Sequence, residues 1–499
     1  MPGKKDFLTA SDYYRFLNCP HWPYYDRFAT DEDKLLKRDM TESEEKRLED
    51  GLLHEKKIVE NLFKEKGLEK APEGISTQEA FNLTLKWMRE GAPFIYQAAL
   101  IDDDWAGRPD ILKKVEGESE LGNWYYVPVD IKSAHNVQKY HRLQLMFYAV
   151  LLEKIQGRFP SFGYIINKDG DEHEVELGEL VEEFEGVTEE LEKIRAREKP
   201  ECVLRKSCFD TGPWGMACQR DAEASNDIAL LFNVDVRKLK ALRDLGVRTI
   251  EDAAAMDPVE LDGKAPGLRR HGLEVAKMQA ESLLNETVIV REPADLAMPE
   301  MEIHFDIESD PPNDMDYLYG FLLRTKDKTE YKPFVAKRPE DEEKMWREFL
   351  AWLKTITLPY HVIHFASYEK IRLSVLEKRY GGSKELDDFK DRMIDMKQII
   401  ISSIVLPQYF YGLKYVARFL GYKWRGDVKG GGQSVDVFEK YLETGDEKLM
   451  QDILIYNEDD VRATALLADW CREYAKNVQR YSKPYPWNNG INSLYKDKR

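Results

Sequence analysis

The sequence has 499 residues, 42% of them hydrophobic, and a formal net charge of −18. That length predicts two to four domains of ~100–200 residues each, and the apolar fraction excludes a chain that is disordered throughout. No apolar run reaches the ~18–20 residues that cross a bilayer, and the first residues lack the apolar stretch of a secretion signal, so we expect a cytoplasmic protein without a membrane partner.

The first 90 residues read as mainly helical and highly charged, and strand-like segments follow them. Three segments have strand patterns separated by polar clusters, namely APFIYQAALI, WAGRPDILKKV and NWYYVPVDIKSA. Residues 138–155 then have the apolar spacing of a helix. We assign residues 1–222 to one α/β domain.

A first candidate site lies in VPVDIKSA, where Asp130 and Lys132 are two residues apart in a predicted strand. Period-two alternation puts both side chains on one face, and Asp110 on the neighbouring strand can approach them. Two such carboxylates repel each other, and a bound Mg²⁺ or Mn²⁺ would relieve this repulsion and activate a water. Lys132 would then orient or deprotonate that water, or stabilise charge on the attacked phosphate. The alternative is an ordinary strand ion pair, because D-x-K also occurs by chance.

Three further residues stand in order around this motif. His54, a candidate metal ligand, lies in an upstream helix, and Gln144 and Tyr148 share one face of the helix that follows. The ordered set resembles the RecB-like family of PD-(D/E)xK nucleases over residues 8–222. The resemblance implies a restriction-endonuclease-like fold, DNA contacts from Gln144 and Tyr148, and a metal and catalytic set of His54, Asp110, Asp130 and Lys132. It also implies DNA as a partner, single-stranded or as duplex ends, with a helicase or another repair or CRISPR protein.

Cysteines flank this region, with Cys19 before it and Cys202, Cys208 and Cys218 after it. Four thiolates suit an iron–sulfur cluster or a zinc ion. The family resemblance implies a 4Fe–4S cluster that ties the first helix to the end of the domain. Thr211 stands where the family pattern has its middle late cysteine, so Cys202 substitutes for it or the cluster is lost. Unligated thiols are the remaining alternative.

Residues 223–292 are predicted to form a small helical domain. The segment LRDLGVRTIEDAAAM has the pattern of a helix, a hairpin at Gly246 and a second helix, and another hairpin contains Gly267. The segment resembles a helix-hairpin-helix module, in which backbone N–H groups bind phosphate. Local positive charge favours DNA contact and comes from Arg237, Lys238, Lys240, Arg243 and Arg248. The alternative is a helical linker with a solvated basic face.

A second candidate site lies in residues 298–480. HFDIES places Asp306 and Glu308 on one face of a strand, and IYNEDDVRAT places Tyr456 and Asp460 four residues apart on a helix. Three such carboxylates can hold two metal ions for phosphoryl displacement, and the tyrosine can orient the attacking water. The pattern resembles the tyrosine-containing branch of the DEDD exonucleases, which have an RNase H-like fold.

That exonuclease family needs a fourth acid between these motifs. Glu369 stands where aspartate is usual, and Asp395 is a second candidate. Lys414 and Arg418 lie in a basic stretch interleaved with aromatic residues, which suits a single strand of nucleic acid. Residues 481–499 read as a polar tail.

The whole domain order resembles a family of bacterial RecB-family nucleases. We therefore expect a deoxyribonuclease that depends on Mg²⁺ or Mn²⁺, has two active sites and works as an exonuclease or in end processing. The acidic net charge argues against nucleic acid as a partner, although local patches decide such contacts. The alternatives are a nucleic-acid-binding scaffold with an inactive RNase H-like domain and an RNA-processing nuclease.

Overall fold

The chain divides into two units, Met1–Asp221 and Ala222–Arg499. The computed structural model describes residues 7–63, 66–134, 137–209, 212–294, 296–428 and 430–489. Within these ranges, none of the helices has the length and apolar character needed to cross a membrane.

The first unit surrounds a mixed sheet with helices. The helices that begin in it are α1 (Ala10–Asn18), α2 (His21–Phe28), α3 (Asp31–Lys34), α4 (Glu42–Phe63), α5 (Thr77–Glu90), α6 (Lys139–Gln156), α7 (Val181–Arg195), α8 (Lys206–Phe209) and α9 (Gly215–Ala224). Its strands are β1 (Leu68–Lys70), β2 (Phe94–Tyr96), β3 (Leu100–Asp102), β4 (Trp105–Gly107), β5 (Ile111–Ser119), β6 (Gly122–Ile131), β7 (Phe162–Ile166) and β8 (Glu172–Glu176).

The main sheet of this unit has the order β1-β2-β5-β6-β7-β8. Strands β5 and β6 pair antiparallel, and the chain then crosses through α6 to β7, which pairs parallel to β6. Helix α6 packs its apolar face on the sheet, with Leu143, Phe147 and Leu151 in the core. This packing places α6 against β6, so the residues at the end of β6 lie near the first turns of α6.

Two of the predicted strands are each interrupted in the structure. APFIYQAALI forms β2 and β3, and the break falls at Gln97, whose φ is +50°. WAGRPDILKKV forms β4 and β5, and the break falls at residues 108–110. The two breaks lie side by side, since the Gln97 N–H donates to the carbonyl of Asp110 at 2.8 Å.

The second unit begins with short helices and continues as an α/β fold. Its helices are α10 (Val236–Asp244), α11 (Ile250–Ala255), α12 (Pro258–Leu261), α13 (Arg270–Asn285), α14 (Glu342–Leu353), α15 (Tyr368–Tyr380), α16 (Lys384–Asp391), α17 (Met396–Ser403), α18 (Leu413–Phe419), α19 (Gly431–Thr444) and α20 (Glu447–Tyr474). Its strands are β9 (Val288–Val290), β10 (Met301–Asp310), β11 (Met315–Thr325), β12 (Thr329–Val335), β13 (Tyr360–His364), β14 (Met393–Asp395), β15 (Ile404–Val405) and β16 (Gln479–Tyr481).

The larger sheet of this unit has the order β12-β11-β10-β13-β14. Strands β10, β11 and β12 are antiparallel, whereas β13 and β14 run parallel to β10. The long helix α20 packs on β10 and β11. Phe305, Phe321 and Phe349 stack in the core on one side of the sheet.

The short helices form the two predicted hairpins, with Gly246 and Gly267 at φ values of +87° and +84°. One of the basic side chains predicted to contact DNA is buried. Arg243 is only 5% exposed, because its guanidinium lies inside the helical segment and pairs with Asp227 at 2.8 Å.

A small sheet of order β15-β9-β16 joins the end of the helical segment to the C-terminal part of the unit. Tyr485 and Trp487 follow β16 and are buried at 5% and 1% exposure. The segment predicted as a polar tail from residue 481 therefore begins with core side chains, because its aromatic residues complete the cluster around Trp470. Residues 490–499 lie outside the described part of the chain.

We expect Trp487→Ala to lower the free energy of unfolding of this unit by about 3–5 kcal/mol, since it removes a fully buried aromatic side chain. Chemical denaturation followed by tryptophan fluorescence and circular dichroism measures the change. Met298→Ala is the control, because Met298 is 63% exposed and its loss should change stability little. Equal midpoints for the Trp487→Ala variant and the unsubstituted protein would contradict this placement.

Candidate active sites

The structure brings Asp110, Asp130 and Lys132 together where the central strands β5 and β6 of the first unit's sheet begin and end. Asp110 directly precedes β5, and its Oδ2 accepts the backbone N–H of Ile131 at 2.7 Å. Asp130 lies in β6 and is fully buried. The Lys132 Nζ lies 2.5 Å from Asp130 Oδ2. The hydrogen bond from Ile131 to Asp110 thus ties the start of β5 to the end of β6 and helps to position the two carboxylates.

Gln144 and Tyr148 hold Lys132 from the side of α6. The Lys132 Nζ donates to Gln144 Oε1 at 2.9 Å, and Gln144 Nε2 donates to the Tyr148 hydroxyl at 3.0 Å. That hydroxyl reaches the carbonyl of Arg108 at 3.3 Å, and Tyr148 is only 3% exposed. In this arrangement the pair predicted to contact DNA orients the lysine.

The charged side chains of this site shift one another's pKa values. Burial raises the pKa of Asp110 well above its ordinary value, the Asp130 charge raises it further, and Lys132 offsets part of the rise. Burial alone would lower the pKa of Lys132, but the charges of Asp130 and Asp110 outweigh it and raise that pKa. The raised pKa favours the ammonium form of Lys132, which suits stabilisation of phosphate charge.

Helix α4 places Glu55 in this region, whereas among the described residues His54, Asp110 and Asp130 do not form a group with ligand atoms within 4.8 Å of one another. His54 Nε2 is buried without a hydrogen-bond partner, while the ring hydrogen-bonds the backbone of Asn167. Its neighbour Glu55 accepts from Gln97 Nε2 at 2.6 Å, and its charge helps to raise the pKa of Asp110. His54 was predicted from the sequence and Glu55 was not, although the two residues are adjacent in the sequence. The carboxylates fit Mg²⁺ or Mn²⁺, which prefer oxygen ligands.

The second site is built on β10. Asp306 and Glu308 lie on one face of this strand, while Phe305 and Ile307 on the other face belong to the core. Asp460 approaches from α20, and one carboxylate oxygen from each of the three acids lies within 4.8 Å of the others. This spacing suits shared divalent cations.

Asn457, which the sequence argument did not single out, orients the first of these acids. It is fully buried and donates from Nδ2 to Asp306 Oδ2 at 2.7 Å, while its Oδ1 accepts from the Tyr331 hydroxyl at 2.9 Å. Gly320 pairs with Asp306 across the sheet, and a Cβ there would lie 1.5 Å from Asn457 Oδ1. The amide therefore occupies the space that any larger residue at 320 would need.

Burial and mutual repulsion disfavour ionisation of this acid cluster. Burial raises the pKa of Asp306 well above its ordinary value, and Glu308, Asp460 and Glu369 raise it further. Burial and the Asp460 charge raise the pKa of Glu308 to about 8. A divalent cation would favour the ionised forms that these surroundings disfavour.

Glu369, the predicted fourth acid, lies close enough for its charge to raise the pKa of Asp306, but it is outside the group of three acids within 4.8 Å of one another. It lies in the first turn of α15, is 3% exposed, and its Oε2 is 3.2 Å from His364 Nδ1. Asp395, the other candidate, instead caps α17 through the backbone N–H groups of Lys397 and Gln398. The connection before α15 holds Ala366 at a φ of +73°, a strained conformation of the kind found at functional loops.

Basic and aromatic side chains close the other side of the second site. The Lys414 Nζ lies 4.4 Å from the ring centroid of Tyr456 and interacts with Asp460 and Glu308. Burial lowers the pKa of Lys414 in spite of these acids. Trp424 Nε1 donates to Asp460 Oδ1 at 2.6 Å, and the Arg418 guanidinium lies 5.6 Å from the Trp424 ring centroid.

Tyr456 stands next to the acids on α20. It is 4% exposed and hydrogen-bonds Asp460 four residues later. Burial and the Asp460 charge raise its pKa well above the ordinary value, so the hydroxyl keeps its proton. Such a hydroxyl can orient a water but cannot act as a base near neutral pH.

The predicted cysteine set is only partly assembled. The sulfur of Cys19 lies 3.6 Å from that of Cys218 and 3.9 Å from that of Cys208. His21, which the sequence argument missed although it follows Cys19 by two positions, has a ring nitrogen within 4.8 Å of the Cys19 and Cys218 sulfurs. This ligand group of the described residues contains neither Cys208 nor the half-buried Cys202. Cys208 adjoins the group through its 3.9 Å contact with Cys19. Thr211 lies outside them.

Comparison with known proteins bears on the second site. The family model of the RNase_H superfamily matches residues 303–472, a segment that contains Asp306, Glu308, Glu369, Tyr456 and Asp460. No curated protein matches the chain. The second unit therefore contains an RNase H-like domain with a nuclease-type fold, as the sequence predicted, and its acid cluster could bind metal.

The raised pKa of Glu308 predicts how stability depends on pH in the absence of a divalent cation. Its pKa is about 8 in the folded protein and roughly 4.3 in an unfolded chain. The folded protein therefore holds more protons between these values, and its stability should fall as the pH rises from about 5 to 8. We expect a loss on the order of 2 kcal/mol in thermal unfolding with EDTA.

Glu308→Gln should reduce that loss, and Mg²⁺ at pH 8 should reverse it in the unsubstituted protein. Asp387→Asn, at a side chain that is 65% exposed, is the matched control and should leave the pH profile unchanged. Identical profiles for the Glu308→Gln variant and the unsubstituted protein would contradict the assigned shift.

Gly320→Ala should displace Asn457 from Asp306, because the added methyl group meets the amide oxygen. We expect a destabilisation of about 1–3 kcal/mol from overpacking, together with weaker Mg²⁺ binding in calorimetry. Gly178→Ala is the control, since a Cβ there meets nothing within 4 Å. Unchanged Mg²⁺ affinity in a folded Gly320→Ala variant would rule out the orienting role of Asn457.

Proposed function

We propose that the protein is a Mg²⁺- or Mn²⁺-dependent deoxyribonuclease with two active centres, acting as an exonuclease or in end processing. The observation that carries the proposal is the close group of Asp306, Glu308 and Asp460, of which Asp306 is half-buried and the other two are buried, within the segment that matches the RNase_H superfamily. Keeping three acids ionised this close together is costly unless cations bind them, and phosphodiester cleavage uses such cations.

At the second centre, these three acids would hold the ions together with Glu369. Bound ions would polarise the phosphate and activate a water for attack. Asn457 fixes the rotamer of Asp306 through its 2.7 Å hydrogen bond. Tyr456, protonated at neutral pH, donates its hydroxyl hydrogen to Asp460, and its oxygen can orient the attacking water by accepting a hydrogen bond from it. Lys414 stands beside the acids and can bind the phosphate that arrives there.

At the first centre, His54, Glu55, Asp110 and Asp130 are the candidate ligands. The Lys132 ammonium is held by Gln144 and stabilises charge on the attacked phosphate. The RecB-like resemblance of residues 8–222 supports this centre, as does the open Nε2 of His54. Its antiparallel β5 and β6, followed by α6 and the parallel β7, agree with the proposed nuclease fold.

DNA is the proposed substrate, and single strands are favoured at the second centre. Lys414, Arg418 and Trp424 form a basic and aromatic surface beside the acids, which suits stacked bases and backbone phosphates. The alternative with a specific observation behind it is a binding scaffold whose second centre is inactive. Glu369 supports that alternative because its carboxylate extends one methylene further than the usual aspartate.

Lys132→Ala and Asp306→Asn separate the two centres. We expect each substitution to lower one cleavage activity by about 10²-fold or more, because each removes a charge that acts on the reacting phosphate. The assay uses single-stranded DNA labelled at the 5′ or the 3′ end, with Mg²⁺ or Mn²⁺, and the same sequence as RNA. Lys139→Ala, at a lysine that is 64% exposed, and Asp387→Asn are the matched controls.

If neither substitution changes cleavage, the proposal of two centres fails. If only Lys132→Ala abolishes all cleavage while Asp306→Asn leaves binding and cleavage intact, the second centre is inactive. A protein that binds single strands and cuts none of these substrates would establish the scaffold alternative. Preferential cleavage of RNA would replace the proposed substrate.

A further inference from the structure

A buried group of sulfur and nitrogen ligands lies in the first unit, apart from the carboxylate site. Cys19 ends α1, Cys208 lies in α8 and Cys218 lies in α9. Cys19 and Cys208 are each 4% exposed, and Cys218 is fully buried. The sulfur of Cys19 is 3.6 Å from that of Cys218 and 3.9 Å from that of Cys208. Three thiols from separate segments of the first unit thus lie near one another, with Cys208 joining Cys19, His21 and Cys218 through its contact with Cys19.

His21 has the arrangement of a metal ligand. Its Nε2 lies 3.0 Å from the carbonyl oxygen of Pro200, which can only accept, so Nε2 carries the ring proton. Nδ1 then has a free lone pair, is buried and has no hydrogen-bond partner in the structure. The residue is 1% exposed. Ligating histidines commonly donate their other N–H to a backbone carbonyl in this way.

The sulfur separations distinguish one ion from a cluster. Zn–S bonds of about 2.3 Å in a tetrahedron place two sulfurs roughly 3.8 Å apart, which agrees with the 3.6 and 3.9 Å found for Cys19 with its two partners. In a 4Fe–4S cluster each thiolate binds a different iron, so the sulfurs must lie farther apart. Cys202, which the cluster would need, is outside the group.

We propose that Cys19, His21, Cys208 and Cys218 bind a single Zn²⁺ ion in a tetrahedral structural site. Three thiolates and one neutral imidazole complete the coordination, which leaves no open position for a substrate. Such a site would carry one net negative charge, and the half-buried Arg205 lies near Cys19 and Cys208 to balance it.

The proposed ion joins parts of the chain that are distant in sequence. Cys19 and Cys218 are 199 positions apart, so one ion closes the first unit from its first helix to its last. Gly215 supports this closure, because a Cβ there would lie 2.1 Å from the carbonyl oxygen of Cys208. That close backbone contact fixes α8 against the start of α9. The inference concerns stability and does not depend on the proposed nuclease activity.

The test measures the metal content of the full chain, expressed with both zinc and iron available and purified without oxygen. We expect about one zinc per chain and no iron–sulfur absorption. His21→Ala should lower the zinc affinity in chelator competition by about 10-fold or more. His21→Cys should retain the ion and add a thiolate charge-transfer band after replacement by Co²⁺. His173→Ala, at an exposed histidine, and Cys202→Ser are the matched controls and should keep the zinc.

A second measurement on the unsubstituted protein covers the case in which variants do not fold. Zinc should protect Cys19, Cys208 and Cys218 from alkylation until a strong chelator is added, whereas Cys202 should react at the same rate with and without it. Removing the zinc should also lower the thermal unfolding midpoint by several degrees. Iron at about four atoms per chain, zinc loss on Cys202→Ser, or alkylation of all three cysteines at a rate that the chelator does not change would each overturn the proposal.

Discussion

The candidate site of the second unit depends on strand β10, which carries acids on one face and core side chains on the other. Phe305 and Ile307 anchor β10 in the apolar cluster, and this fixes Asp306 and Glu308 on the opposite side. Alternation along the strand gives no freedom to point the acids elsewhere, since a shift by one residue would expose the core. The repulsion between these carboxylates and Asp460 disfavours their ionised forms, and either protons or divalent cations relieve it.

The neighbours of these acids serve that constraint. Asn457 donates to Asp306, Trp424 donates to Asp460, and Gly320 leaves the space that the amide fills. Each of these contacts holds a carboxylate in one orientation before any ion binds. A preorganised ligand set loses less conformational entropy on binding, which strengthens the case for a metal site over an accidental cluster.

The two candidate centres handle their negative charge differently. In the first unit, Lys132 pairs directly with Asp130, so part of the charge is balanced within the protein. In the second unit, burial lowers the pKa of Lys414, which makes it a weaker counter-ion for the acids beside it. The acids of the second centre are therefore less fully balanced by basic side chains than those of the first.

The sequence by itself determined which residues share a face and roughly where the RNase H-like segment lies. Period-two and i,i+4 spacing paired Asp306 with Glu308 and Tyr456 with Asp460, because these relations are local and follow from strand and helix geometry. The family match at residues 303–472 confirms the RNase H-like part of that prediction. The RecB-like and helix-hairpin-helix assignments stay predictions.

Only the tertiary structure decided which residues meet across the fold. It placed Glu55 beside Asp110, His21 beside Cys19 and Cys218, and Trp487 in the core. In the structure, Asp395 caps a helix and Arg243 is buried in an ion pair with Asp227. The sequence around these two residues did not distinguish such roles from catalysis or DNA binding. The physical reason is that these contacts join residues far apart in the chain, and their geometry follows from how helices and sheets pack, which local spacing does not encode.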